Sequence, residues 1–342
     1  MTRRTAIAAM VSTVATGTTP RLKWNDLPDL PQPLGGQFAG SAGESVIVAG
    51  GSYFDTPPWN GGTKQRVDTA YALTSKGDHW TLAGRLPHAV AAGASVSIGD
   101  GLLCTGGQFG DGSSQSCLLL RIRNERLLIE PWPDLPHTLS MHAMASDGQH
   151  VYIAGGQQTT QSTQALRSFW RLPITGSSRH WEQLPDLPVA GRILPILLAN
   201  PDAIYLISGA ELTGTAGPPP GRRFLADAWR YHPNHGWQQI AAPPKPVQGG
   251  SGLAHNGKLF VFSGNDGAFA AREYELRERH PGFSKDVLCY HPNTDHWAVA
   301  GTMPVGLVTT AVARWRDQYV LPGGEVRPAF RSARVIACHI DE

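Results

Sequence analysis

A short apolar run ending in a glycine-bearing pair recurs six times along the chain. It reads Val46-Ile47-Val48-Ala49-Gly50-Gly51, then Leu103-Cys104-Thr105-Gly106-Gly107, then Val151-Tyr152-Ile153-Ala154-Gly155-Gly156. The later copies are Ile204-Tyr205-Leu206-Ile207-Ser208-Gly209, Leu259-Phe260-Val261-Phe262-Ser263-Gly264 and Tyr319-Val320-Leu321-Pro322-Gly323-Gly324. The pairs start 56, 49, 53, 55 and 60 residues apart. Runs this short, rich in β-branched and aromatic residues and stopped by glycine, read as strands. A repeat of this period predicts stacked units that bury their apolar faces against one another. The unit is a four-stranded antiparallel sheet, whose strands run a to d from the axis outward. Six such blades make an all-β propeller.

A second mark fixes how the ring closes. A tryptophan lies 26 to 34 residues after the start of each of the first five pairs, at Trp80, Trp132, Trp181, Trp237 and Trp297, and a proline-bearing turn follows each one. Placed on strand d, each indole fills the wedge that opens between blades with distance from the axis and buries a large apolar area. The sixth pair has too little chain after it for its tryptophan. The missing piece stands at the other end, where Trp24-Asn25-Asp26-Leu27-Pro28-Asp29-Leu30-Pro31 matches Trp181-Glu182-Gln183-Leu184-Pro185-Asp186-Leu187-Pro188. The N-terminal strand is therefore expected to complete the last blade, so that residues 20–342 form one ring with few exposed edges. A composition of 39 Gly, 27 Pro and 10 Trp suits short strands joined by many turns.

These marks resemble the kelch family over about residues 21–340. Three loops are similar to a narrower group, the kelch-type N-acetylneuraminate epimerases (sialic acid mutarotases), and in particular its cyclically permuted members. The first loop runs from Gly50 through Asp55 and Trp59 to Lys64. The second is Ser208-Gly209-Ala210-Glu211 with Gly221-Arg222-Arg223 and Asp227. The third runs from His280 to Asp286 and on through Gly324-Glu325 to Arg331. The resemblance implies an isomerase that interconverts the anomers of N-acetylneuraminate or a related sugar acid, with no cofactor and no metal. Such a reaction needs a base for the anomeric hydroxyl proton and an acid for the ring oxygen. A guanidinium suits the sugar's carboxylate.

The family places its general base just after one glycine pair and an arginine six residues later. Glu211 is the position that matches, but the insertion 215–220 displaces the arginine, which leaves Arg222 and Arg223 open. Glu325 and Arg331 form a second pair at six-residue spacing, directly after the sixth glycine pair. Long b–c loops gather on one face, so substrate contacts are also expected from Asp55, Lys64 and Asp266, and from Arg192 on a d–a connection. His280 is a weaker candidate of the same kind, and His142 reads as a core histidine. A non-catalytic propeller that holds a glycan or protein partner on the same face is the alternative, since fold does not decide function.

Other classes find no support. The formal net charge is +2 and no long run of like charge occurs, which argues against nucleic acid as a partner. No segment suits membrane insertion. The Ser-x-Asp-x-Gly-x-x-Trp boxes of propeller sialidases and a glycine-rich phosphate loop are absent from the sequence. The kelch-type copper radical oxidases need a cysteine-linked tyrosine, whereas Cys104, Cys117, Cys289 and Cys338 fall in or beside strands. Buried free thiols are expected, with a Cys104–Cys117 bridge as the alternative. Residues 1–19 carry Arg3-Arg4 before a weakly apolar stretch and resemble a twin-arginine export signal, which implies a periplasmic protein.

Overall fold

The computed structural model describes residues 20–74, 78–176, 179–214 and 221–341. The export-like segment 1–19 and the insertion 215–220 lie outside the described residues. Six four-stranded antiparallel sheets follow one another around an axis. Blade 1 comprises Phe38–Ala42, Ser45–Ala49, Thr69–Leu73 and Thr81–Arg85, and blade 2 comprises Ala94–Ile98, Gly101–Thr105, Cys117–Arg123 and Arg126–Trp132. Blade 3 is Ala143–Ser146, His150–Ala154, Phe169–Pro173 and Glu182–Leu184, and blade 4 is Ile196–Asn200, Ala203–Ile207, Ala228–His232 and Gly236–Ile240. Blade 5 is Ser251–His255, Lys258–Phe262, Asp286–His291 and His296–Thr302. Blade 6 takes Ala313–Trp315, Gln318–Pro322 and Val335–Asp341 from the C-terminal end and Arg21–Leu27 from the N-terminal end. Trp24 pairs with Cys338 in that closing ladder, as the repeat predicted.

The glycine pairs do two different jobs. The first member has φ between 56° and 68° in every blade, within the left-handed well, and serine occupies it in blades 4 and 5. The second member has φ between 94° and 127°, beyond that well, and is glycine throughout. A Cβ on Gly264 would stand 2.5 Å from the Val247 Cα. Where serine replaces the first glycine, its hydroxyl is put to use. Ser263 Oγ donates to the Ser284 carbonyl at 2.6 Å and accepts from Leu307 N–H of the next blade at 2.8 Å.

Six apolar clusters lie between successive blades. The one joining blade 6 to blade 1 includes Leu30, Leu34, Val48, Trp80, Trp315 and Val335. Four of the repeated indoles also latch the preceding blade by hydrogen bonds to backbone oxygen: Trp80 to Pro28, Trp181 to Pro133, Trp237 to Pro185 and Trp297 to Ala241. The four cysteines are buried and free. Cys104 faces the blade 1–2 cluster and Cys117 the blade 2–3 cluster, so the sheet itself separates them and no bridge can form. No helix among the described residues is long and apolar enough to cross a membrane.

At the entrance to each inner strand the backbone builds a feature without a sequence signature. Gly36, Ala92, Met141, Leu194, Gly249 and Thr309, one per blade, all have positive φ. The N–H of each donates to the carbonyl of its counterpart in the preceding blade, at 2.7 to 2.9 Å, until Gly36 N–H closes the circle on Thr309. This closed ring of hydrogen bonds divides the axis into two cavities that share its rim. Below lies a channel of about 540 Å³, walled by the inner strands and largely by glycine, alanine, serine and aliphatic side chains. Above lies a funnel of about 240 Å³ on the face of the b–c loops.

Candidate functional site

Charged side chains converge in the funnel rather than in the larger channel. Lys64, Arg222, Glu273, Glu325 and Arg331 all line it, together with Phe54, Trp59, Tyr274 and the amides of Gln108, Gln248 and Asn265. They come from blades 1, 2, 4, 5 and 6. The three cations outnumber the two carboxylates, so the funnel favours an anionic ligand.

Strand alternation decides which loop residues enter. In every blade the residue directly after the glycine pair bridges back to the residue before the backbone ring, as in Gly35↔Ser52, Gln248↔Asn265 and Val308↔Glu325. Of these post-pair residues, Ser52, Gln108, Asn265 and Glu325 face the funnel. Glu211 stands one residue further on, so it points to the opposite face. There it pairs with Arg223 directly across the loop hairpin, Nε to Oε2 at 2.7 Å. Arg222, paired with Leu212, lies on the funnel side. The same alternation sends Phe54 and Lys64, which are partners in the blade 1 hairpin, into the funnel.

Glu325 forms an ion pair with Arg331 and also accepts the Ala329 N–H at 2.7 Å. Both side chains are largely shielded, at 15% and 8% exposure. Arg331 reaches this position because residue 35 is glycine: a Cβ there would stand 2.5 Å from its Cδ and 2.6 Å from its Nε. Its guanidinium carbon also sits 5.4 Å from the centre of the Phe54 ring. Arg222 Nε is buried with no hydrogen-bond partner. Burial works against the charge on Arg222, while Glu273 and Glu325 favour it. Lys64 keeps contact with solvent at the funnel wall. The surrounding protein and the neighbouring Arg331 nonetheless push its ammonium down to about 8, with Glu325 opposing.

Glu273 is the residue that sequence reasoning missed. It sits in a charged run, Arg272-Glu273-Tyr274-Glu275-Leu276-Arg277, that reads as a solvated loop. The loop instead winds into short helical turns over Ala270–Arg272, Glu273–Leu276 and Arg277–Arg279. Glu273 and Leu276, spaced i and i+3, are partly shielded, while Arg272 and Glu275 pair on the exposed side. That spacing was the signal available. Burial raises the Glu273 carboxyl above the usual range; Arg222 opposes this and the charge of Glu325 adds to it. The loop is tied over the funnel by Trp59, whose indole donates to Glu278 Oε1 at 2.8 Å and whose ring meets that of Tyr274.

The remaining candidates lie elsewhere. Arg192 is fully buried and clamps blades 3 and 4, donating to both Asp227 oxygens at 2.8 and 3.0 Å and to the Ser208 carbonyl. Asp266 accepts the Ala268 N–H within its own turn, and Asp55 is exposed outside the funnel. His280 accepts the Gly282 N–H at 3.1 Å. His142 is buried beside the channel, 2.8 Å from Thr105 Oγ1, and burial pushes it down to about 3.

No protein-family model matches the chain. It is similar to curated proteins named N-acetylneuraminate epimerase. The Haemophilus influenzae (strain PittEE) protein is 23% identical over 60% of this chain and 58% of its own length. That of Yersinia enterocolitica is 25% identical over 60% of this chain and 57% of its own. The chain thus spans somewhat over half the length of these relatives. The solved structure of YjhT superposes with a TM-score of 0.68, over 92% of this chain and 99% of that one, at 14% identity. The resemblance read from the loops is borne out by these relatives, and the propeller fold by the six four-stranded sheets and the structural neighbour.

Proposed function

We propose that this propeller is a mutarotase of sugar acids of the N-acetylneuraminate type, with its site in the funnel. The observation that carries the reading is the convergence of Glu325, Arg331, Arg222 and Lys64 in one small concave cavity with an excess of cations. The names of the relatives support the same chemistry. So does the spacing of Glu325 and Arg331, six residues apart directly after a glycine pair.

In this reading Arg222 and Lys64 hold the substrate carboxylate, since neither forms an ion pair among the described residues. Arg222 supplies a planar, hydrogen-bonding cation and Lys64 a point charge. Glu325 takes the proton from the anomeric hydroxyl, and Arg331 fixes the angle at which it approaches. As that O–H bond breaks, its electrons form the carbonyl and the bond to the ring oxygen opens. Rotation and reclosure then give the other anomer. The aromatic wall of Phe54, Trp59 and Tyr274 limits water at the reacting carbon.

The test is proton NMR of N-acetylneuraminate released as a single anomer by a sialidase. Added protein is expected to speed equilibration well above the spontaneous rate, and Glu325→Gln to lose about 10²–10⁴-fold of that acceleration. Equilibration at the spontaneous rate with folded wild-type protein would refute the reading. We further take residues 1–19 to be an export signal. Fractionation should find the protein in the periplasm and lose it from there when Arg3 and Arg4 are both replaced by Lys.

A further inference from the structure

Opening a sugar ring at neutral pH needs two proton movements, and the pair Glu325–Arg331 accounts for one. The ring oxygen must gain a proton as its bond to the anomeric carbon breaks, or an alkoxide is expelled. The donor must enter the same cavity from another direction, because the hydroxyl and the ring oxygen diverge from one carbon.

We infer that Glu273, delivered by the helical loop of blade 5, is the proton donor to the ring oxygen. This rests on the mutarotase reading above. Glu273 lines the funnel, while Glu325 enters it from blade 6. Among the described residues its carboxyl has no hydrogen-bond or ion-pair partner, in contrast to Glu325 and Glu211. It is partly shielded, whereas Arg272, Tyr274 and Glu275 beside it are exposed. The charged groups that bear on it are Arg222 and Glu325, both on the funnel wall. The electrostatics agree with the geometry: burial, the largest influence, favours its protonated form against the opposing charge of Arg222, and Glu325 adds to burial.

The cycle balances without any further reactant. Glu325 accepts the anomeric proton while Glu273 gives its own to the ring oxygen, and the open-chain keto acid forms. After rotation about the bond beside the carbonyl, Glu273 takes back the hydroxyl proton as that oxygen attacks the other face. Glu325 returns its proton to the carbonyl oxygen, and both carboxyls regain their starting states. Glu325, ion-paired with Arg331, and Glu273, unpaired among the described residues and raised by burial, divide the base and acid roles.

The test measures anomer exchange by NMR with the full chain, and binding of N-acetylneuraminate by calorimetry. Glu273→Gln should slow exchange about 100-fold or more while leaving affinity within about threefold. Its pH profile should lose the fall that wild type shows as Glu273 deprotonates, while the fall near pH 8 that Lys64 sets should remain. Glu273→Ala should regain exchange when formate is added, because a small carboxylic acid can occupy the vacated space. A merely structural role would not give that rescue. Exchange by Glu273→Gln within about twofold of wild type would overturn the assignment while leaving the mutarotase reading intact. So would loss of exchange in Glu273→Ala without formate rescue. Absence of acceleration by wild type would instead remove the mutarotase reading itself.

Discussion

Lys64 and Arg222 enter the funnel as cations with no ion pair among the described residues, and Lys64 is the one whose charge changes near physiological pH. The surrounding protein is the largest influence on its ammonium; Arg331, Arg66 and Arg222 also repel its proton and Glu325 retains it. Its ammonium is therefore lost as pH rises through about 8, and with it one contact to a carboxylate ligand. Affinity for N-acetylneuraminate should fall severalfold between about pH 7 and pH 9. Lys64→Arg, which stays protonated, should flatten that dependence. Calorimetric titration at the two pH values decides it; equal slopes for both proteins would show that Lys64 does not hold the ligand. A Cβ at Gly35 would meet Arg331 first. The Gly35 backbone lies outside the positive-φ region, so Gly35→Ala should leave the thermal midpoint nearly unchanged. The added Cβ displaces the Arg331 side chain, and a shift of about 1 Å costs up to about 100-fold in rate. A kinetic assay beside a thermal melt separates the two effects.

At the scale of the element, the glycine pair shows how much of a repeat is legible. The recurrence and its period were readable because the second position demands glycine in all six blades. The φ of 127° at Gly264 and the approach of Val247 make Gly264→Ala cost about 3 kcal/mol or more. Ser263→Ala keeps a tolerated backbone but strands the Leu307 N–H, at about 1–3 kcal/mol. Urea denaturation of the two variants should rank them in that order. The hydrogen-bonded ring at the base of the funnel left no such trace. Ala92, Met141, Leu194 and Thr309 adopt positive φ there without being glycine, because the ring holds them. The blade 5 loop left only the i, i+3 spacing of Glu273 and Leu276: its alternating charges look solvated, and the turn that brings Glu273 inward depends on tertiary packing.

For the whole molecule, ring closure and the site are one event. The segment from Arg21 to Gly36 completes blade 6, bridges Leu34 to Ser332, makes room for Arg331 and then enters the backbone ring. Arg334 adds a bond to Asp26 at 2.7 Å across the same seam. Deleting residues 20–30 should therefore lower the midpoint of unfolding and abolish activity together, as circular dichroism melts and the NMR assay would report. The sequence allowed the closure to be foreseen, since Trp24 and its prolines repeat the Trp181 segment. Which glutamate enters the funnel was harder to see, because Glu211 and Glu325 both follow a glycine pair and differ by a single residue in their distance from it. That residue reverses the direction of the side chain. The most direct measurement is thus the rate of anomer exchange for Glu325→Gln and Glu211→Gln side by side. Glu325→Gln is expected to lose about 100-fold or more, with Glu211→Gln close to wild type. The reverse ranking would move the base to Glu211.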